Sequence, residues 1–357
     1  MIKSCYIHIP FCKNICSYCD FCKMYYNKDF IDKYLLSLEK EINLYYKNDL
    51  LNTLYIGGGT PSCLDEISLK KLFKIINIFR LNKTYEFTFE CNIEDINEKL
   101  LIFLKENKVN RISIGLQSFN KKYIEFMNRK YLNKKEITDK INLVKKYFNN
   151  INIDLIYGIN NETLKELQEE VDSFINLDVI HISLYSLILE DNTILKTKKY
   201  KEIDDDLNRK MYDYIRKTLK KNNYIHYEIS NFSKKGYMSK HNLCYWNNDN
   251  YYGFGLGSSG FIENIRYTNT RSLNSYINGN YRYIKEKIDK NRNMEYEMIL
   301  NLRKIKGISK KKFYKKYNLN IKDVFDVSKL KENKYYFYIP KKYLFVENYI
   351  LCDFILD

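Results

Sequence analysis

Between residues 1 and 230, short apolar runs alternate with longer amphipathic stretches, and this rhythm limits the folds open to the chain. The apolar runs cover residues 5–9, 53–56, 86–90, 111–115, 151–156 and 181–186. Their length and apolar character suit strands. The stretches between them carry apolar residues at helical spacing, as Tyr34, Leu35, Leu38 and Ile42 do within 33–45. Residues 69–78, 97–105, 137–147, 163–174 and 206–220 behave the same way. Strands alternating with helices pair in parallel through right-handed crossovers. Six units fall short of an eight-unit barrel, so the expected fold is α/β, a partial and open (β/α)6 TIM-like barrel. Ligands in such folds sit at the C-terminal ends of the strands.

From residue 227 the rhythm changes. Residues 227–232 read as an added strand, 241–246 as part of a loop, and Gly253 to Gly260 as a glycine-rich stretch. The tail reads as a helix over 294–303, a turn at Lys306-Gly307, a helix over 309–317, and then β-rich aromatic segments. The expected division is a barrel over 1–230, a connecting segment over 231–293 and a small α+β domain over 294–357.

The three cysteines Cys12, Cys16 and Cys19 follow the first strand in the spacing Cys-x-x-x-Cys-x-x-Cys. Three thiolates can hold three irons of a [4Fe–4S] cluster and leave the fourth open to a ligand. Zinc would ask for a fourth ligand, commonly from a second pair, and no second pair occurs. Cys22 is the complication, since as a fourth ligand it would close the cluster and make an electron carrier.

Composition narrows the setting. Nine cysteines with cluster-type spacing and no secretory pattern suit a reducing cytoplasm better than a disulfide framework. No run of about 18 apolar residues suggests a membrane span. The net charge of +16 invites a nucleic-acid reading, but the chain is rich throughout in Lys, Asn, Ile and Tyr and has 3 Pro. A bias spread over the whole length reflects codon usage rather than a binding surface, so no nucleic-acid partner is expected. The charge would favour an anionic ligand.

The segment Tyr6-Ile-His-Ile-Pro-Phe-Cys12-x-x-x-Cys16-x-Tyr18-Cys19-Asp20-Phe21 resembles the cluster loop of the coproporphyrinogen-dehydrogenase branch of radical S-adenosylmethionine (SAM) proteins. Its Cys19-Asp20-Phe21 ending is most similar to the HemW-type heme chaperones. The dehydrogenases usually carry a fourth Cys where this chain has Phe21, and Cys22 matches neither pattern. The resemblance implies a SAM site that includes Tyr6 and Tyr18. It places Gly57-Gly58-Gly59-Thr60-Pro61 against the methionine amino group through Gly58, Gly59 and Thr60. It makes Glu90 and Gln117 polar contacts and pairs Arg129 with the SAM carboxylate. Asp154 then lies near the ribose, and Ile188 offers backbone atoms. Asn128 and Tyr131, beside Arg129, depart from the family's usual residues.

His241-Asn242-x-x-Tyr245-Trp246 resembles the H-N-x-x-Y-W segment that separates the chaperones from the dehydrogenases. There His241 is a candidate heme ligand; the alternative is a histidine that caps a loop beside a core Trp246. Where the family has Gly-Ala-His-Gly, this chain has Gly257-Ser258-Ser259-Gly260. No residue is assigned a catalytic role.

The expected reading is a cytoplasmic radical SAM protein with a [4Fe–4S] cluster, SAM and heme. Its expected partners are an electron donor and heme-acceptor proteins; an acceptor at a membrane would fit, though the chain has no span. The first rival is an oxygen-independent coproporphyrinogen III dehydrogenase, against which stand Phe21, the H-N-x-x-Y-W segment and the lack of an extension before Tyr6. The second is a closed-cluster electron-transfer protein.

Overall fold

A computed structural model describes residues 1–356. Six parallel strands form in chain order: β1 (Ser4–Ile9), β2 (Leu50–Gly58), β3 (Arg80–Asn92), β4 (Arg111–Gln117), β5 (Ile151–Tyr157) and β6 (His181–Ser186). Each of the six apolar runs lies inside one of them. Their helices are α1 (Lys28–Tyr45), α2 (Glu66–Ile76), α3 (Glu98–Glu106), α4 (Lys134–Tyr147), α5 (Leu164–Asn176) and α6 (Asp205–Lys221).

The side-chain oxygens of Asn27, Asp65, Asn97, Asn133, Thr163 and Asp204 accept from the first turns of these helices and mark their starts. Asn133 with Glu136, and Thr163 with Glu166, complete capping boxes. Among these helices the largest boundary error, at α1, follows from this: the helix begins at Lys28, five residues before the expected start at 33, because Asn27 caps it.

The main sheet has nine strands. Tyr227–Phe232 is not one added strand. It forms β7 (Ile225–Glu228) and β8 (Asn231–Ser233), an antiparallel pair in which β8 lies against β6. On the far edge, β9 (Tyr252–Phe254) pairs in parallel with β1. The order is therefore β9-β1-β2-β3-β4-β5-β6-β8-β7, and the barrel stays open.

Residues 241–246 are not a loop. They belong to α7 (Lys240–Trp246), capped by the Ser239 hydroxyl. In the tail, α8 (Lys290–Leu302) starts earlier than the expected 294, and α9 (Lys310–Tyr317) is capped by Ser309. After the short strand Tyr336–Tyr338 the chain turns helical over Lys341–Val346 and Glu347–Leu351, where further β structure was expected.

The sheet has two unlike faces. Ile112, Ile114, Leu116, Ile151, Ile153, Leu155 and Ile182 are at most 2% exposed and belong to the main core. Their neighbours in sequence, Arg111, Ser113, Asn152, Asp154 and Ser183, point the other way, because side chains alternate across a strand. The second face lines a cavity.

Candidate cofactor site

The cavity has a volume of about 360 Å³ and opens at the C-terminal ends of β1 to β6. The cluster loop enters it directly from β1. Phe11–Cys12 pairs with Met24–Tyr25, so the loop between leaves and returns at one point. Contacts to distant residues hold its middle: Ser17 N–H donates to the Met127 carbonyl at 3.1 Å, and the Asn128 amide donates to the Ile15 carbonyl at 2.8 Å.

Cys12, Cys16 and Cys19 all line the cavity. Cys22 does not. It is buried on the other side of the loop, where a Cβ placed on Gly257 would lie 2.5 Å from its own. Its carbonyl accepts from His8 Nε2 at 2.6 Å, which leaves His8 Nδ1 to accept from the Tyr6 hydroxyl at 3.0 Å. Burial keeps His8 neutral, its pKa lowered to about 4. His8 is thus a brace behind the loop.

The triad sulfurs receive donors. Thr60 Oγ1 lies 3.5 Å from Cys12 Sγ, and Arg129 Nη1 lies 3.8 Å from Cys16 Sγ. Burial pushes Cys12 up to about 11 and raises Cys19 as well. Such thiols stay protonated until a metal binds the sulfur and displaces the proton to solvent. Among the described residues no three His, Cys, Asp or Glu side chains converge as ligands of one ion. A cluster uses one thiolate per iron, so ligands standing apart on one wall suit it.

Beside Cys12, Gly57-Gly58 ends β2 and Gly59 follows it, its N–H donating to the Ile9 carbonyl at 2.8 Å. Gly58 has φ +116, and a Cβ there would lie 2.6 Å from the His8 ring. A Cβ on Gly59 would meet the Phe11 carbonyl at 2.8 Å. Both positions require glycine. Glu90 accepts from Gly58 N–H at 3.0 Å and from the Tyr55 hydroxyl at 2.6 Å. Burial raises it to about 7 against the pull of these bonds and of nearby Arg111. Asp154 is raised by burial and accepts from Asn152 at 2.8 Å.

Arg129 is more committed than a free carboxylate clamp would be. Its Nη2 donates to Asn92 Oδ1 at 3.0 Å and to the Gly115 carbonyl at 2.9 Å. Asn92 in turn donates to Thr60 Oγ1 at 3.3 Å, so one chain of bonds runs from Arg129 to Cys12. Gln117, in the left-handed region at φ +71, and Tyr18 and Ile188 also line the cavity.

Tyr6 and His241 stand apart from it. Tyr6 packs against Tyr55 and His241, which also pack on each other. His241 is 1% exposed, with Nδ1 on the Thr53 hydroxyl at 2.8 Å and Nε2 on the Tyr245 hydroxyl at 2.7 Å. Burial lowers it to about 3. Its helix, α7, is anchored by Glu86, whose carboxylate accepts from the N–H groups of Lys240 and His241 at 3.1 and 3.0 Å. Asn242, the next residue, lines the cavity.

Residues 6–174 match the family model described as the radical SAM superfamily. The chain is 38% identical to a Lactococcus lactis protein named heme chaperone HemW, over 90% of this chain and 87% of that one. It is 38% identical to the Bacillus subtilis protein of the same name, over 91% and 89%. The chain belongs to the HemW family of radical SAM proteins. Membership of the superfamily implies a [4Fe–4S] cluster and SAM. The fold of this HemW-family chain matches a structure reported as coproporphyrinogen III oxidase (HemN) from Escherichia coli, a radical SAM enzyme, with a TM-score of 0.86 at 20% identity over 99% of this chain and 90% of that one.

Several lining residues were not anticipated: Tyr55, Asn92, Arg111, Ser113, Asn152, Ser183, Tyr185 and Asn242. A signal for most of them was present. Strands buried in a parallel sheet ordinarily read as continuous apolar runs. In this HemW-family chain β4, β5 and β6 instead alternate, as in Arg111-Ile-Ser-Ile and Ile151-Asn-Ile-Asp, which marks a polar inner face.

Proposed function

We propose that the chain is a heme chaperone that binds heme and passes it to acceptor proteins. In this reading Cys12, Cys16 and Cys19 hold the [4Fe–4S] cluster, and SAM lies across the strand ends. When bound, the cluster supplies a single low-potential electron and an iron with an open position.

The chain's own groups then have distinct tasks. Glu90 accepts a hydrogen bond from an ammonium group, helped by the backbone of Gly58 and Gly59. Asp154 and Gln117 accept from or donate to hydroxyl and amide groups. Arg129 and Thr60 set the hydrogen bonds at the thiolates, which tune cluster potential.

The observation that carries the heme reading is the likeness, over about nine-tenths of the chain, to proteins named heme chaperones. Phe21 supports it, because the dehydrogenase branch usually has a cysteine at that position. An electron donor is a required partner. No helix among the described residues is long and apolar enough to cross a membrane, and we place the protein in the cytoplasm.

The test is an anaerobic purification and cluster reconstitution followed by two additions. Hemin titration is expected to give stoichiometric binding. Coproporphyrinogen with SAM and a strong reductant is expected to give no protoporphyrinogen. Turnover in the second arm would overturn the proposal in favour of the dehydrogenase.

A further inference from the structure

His241, the candidate heme ligand, is enclosed: both ring nitrogens are hydrogen-bonded inside the protein and 1% of the residue is exposed. An iron could reach it only after α7 unpacked. The exposed apolar surface around the site lies elsewhere. Phe21 is 65% exposed and Ile188 is 61% exposed, and both line the mouth of the cavity.

They come from two separate walls. Phe21 stands on the cluster loop, and Ile188 follows β6. The segment after Ile188 returns to the loop, where Leu195 N–H donates to the Ser17 carbonyl at 3.1 Å. Leu187 and Tyr185 continue the second wall. Large apolar side chains left open at the rim of a polar cavity mark a ligand site.

Cations sit beside the first wall. Lys23 lines the cavity and donates to the carbonyls of Cys19 and Phe21. An ammonium has three donors, so one stays free. Arg271 is exposed and donates from Nη2 to the Asp20 carbonyl at 2.8 Å. Apolar plates with cations along one edge suit a flat, apolar ring with carboxylate arms.

We infer that the cavity mouth, between Phe21 and Ile188, is the docking site of an iron porphyrin, with its propionates directed toward Lys23 and Arg271. The inference rests on the heme-chaperone reading above and adds the surface that the reading lacks.

Hemin titration of the full, reconstituted chain, followed by Soret absorbance, tests it. Phe21→Ala and Ile188→Asp are each expected to weaken hemin binding about tenfold or more, the loss that follows from removing one buried apolar side chain. Tyr283→Ala, on a ring that is more exposed (76%) and does not line the cavity, is expected to leave hemin affinity unchanged. Iron and sulfide per chain are measured alongside. If Phe21→Ala loses the cluster, Ile188→Asp, on a segment that holds no cluster cysteine, decides alone. Should the wild type fail to bind hemin, the heme reading falls and the inference with it. Should the wild type bind and the mouth variants match it, or His241→Gln alone abolish binding, the heme reading stands and the mouth site is overturned.

Discussion

Gly58 shows how tightly single residues are held at this site. At φ +116 an L side chain is strained by about 1–3 kcal/mol, and its Cβ would also press on the His8 ring. Gly58→Ala is therefore expected to lower stability by at least about 1 kcal/mol and to weaken SAM binding, measured by chemical denaturation and by SAM titration. Cys22 gives the opposite case. Its side chain is buried against Gly257 and away from the cavity. Cys22→Ala is expected to keep its full iron and sulfide content, with stability within about 1 kcal/mol of wild type. Alanine at Cys12, Cys16 or Cys19 is expected to abolish the cluster. Iron lost from Cys22→Ala would revive the closed-cluster reading. The positions of the triad were readable because all three lie on one short loop. The direction taken by Cys22 was not, because it depends on Gly257 and Arg271, far along the chain.

Helix α7 illustrates how an element is placed by a partner distant in sequence. Glu86, on β3, takes two of the N–H groups that a helix start leaves open. Glu86→Ala leaves both without that acceptor in the interior and is expected to lower stability by about 2 kcal/mol or more. Glu86→Gln keeps one acceptor oxygen and is expected to lose less. Denaturant midpoints of the two variants check the order, and equal midpoints would show that the carboxylate is not the anchor. The barrel helices were legible from the 3.6-residue repeat and their caps. Residues 241–246 lacked that repeat, since polar and aromatic side chains surround the helix and both faces meet protein. The short strand β9 was hidden for a related reason: three residues carry no period, and it forms only because β1 offers an open edge.

Burial of acidic side chains gives the molecule as a whole a pH dependence. Glu228 is raised to about 7 and Glu347 to about 8, in both cases first by burial. Arg303 partners Glu347 at 2.9 Å and pulls against the rise. Both carboxyls keep their protons in the folded chain at pH values where the unfolded chain has lost them. Between about pH 7 and pH 8, above the range in which the four histidines, held neutral by burial, would take up protons on unfolding, these carboxyls make the folded state bind more protons, and stability falls as pH rises. A thermal-melting series over that range is expected to show a falling midpoint, with a shallower slope for Glu347→Gln. A midpoint that rises steadily to pH 8 would contradict this. These groups sit where the helical turns after residue 341 pack against β7 and α8, joining the tail to the barrel in one continuous core.

Local spacing was enough for the alternation of strands and helices over residues 1–230, for the open α/β fold and for the cysteine triad, because each rests on neighbours a few residues apart. The polar inner face of the strands was also written there, as a two-residue alternation. Tertiary structure alone decided which candidates meet. It brought Gly58, Glu90, Gln117, Arg129 and Asp154 to one cavity with the triad. It buried Cys22 against Gly257, away from the cavity, and it sealed His241 against Thr53 across 188 positions of chain. Such contacts depend on how distant strands and helices pack, and no local period encodes them.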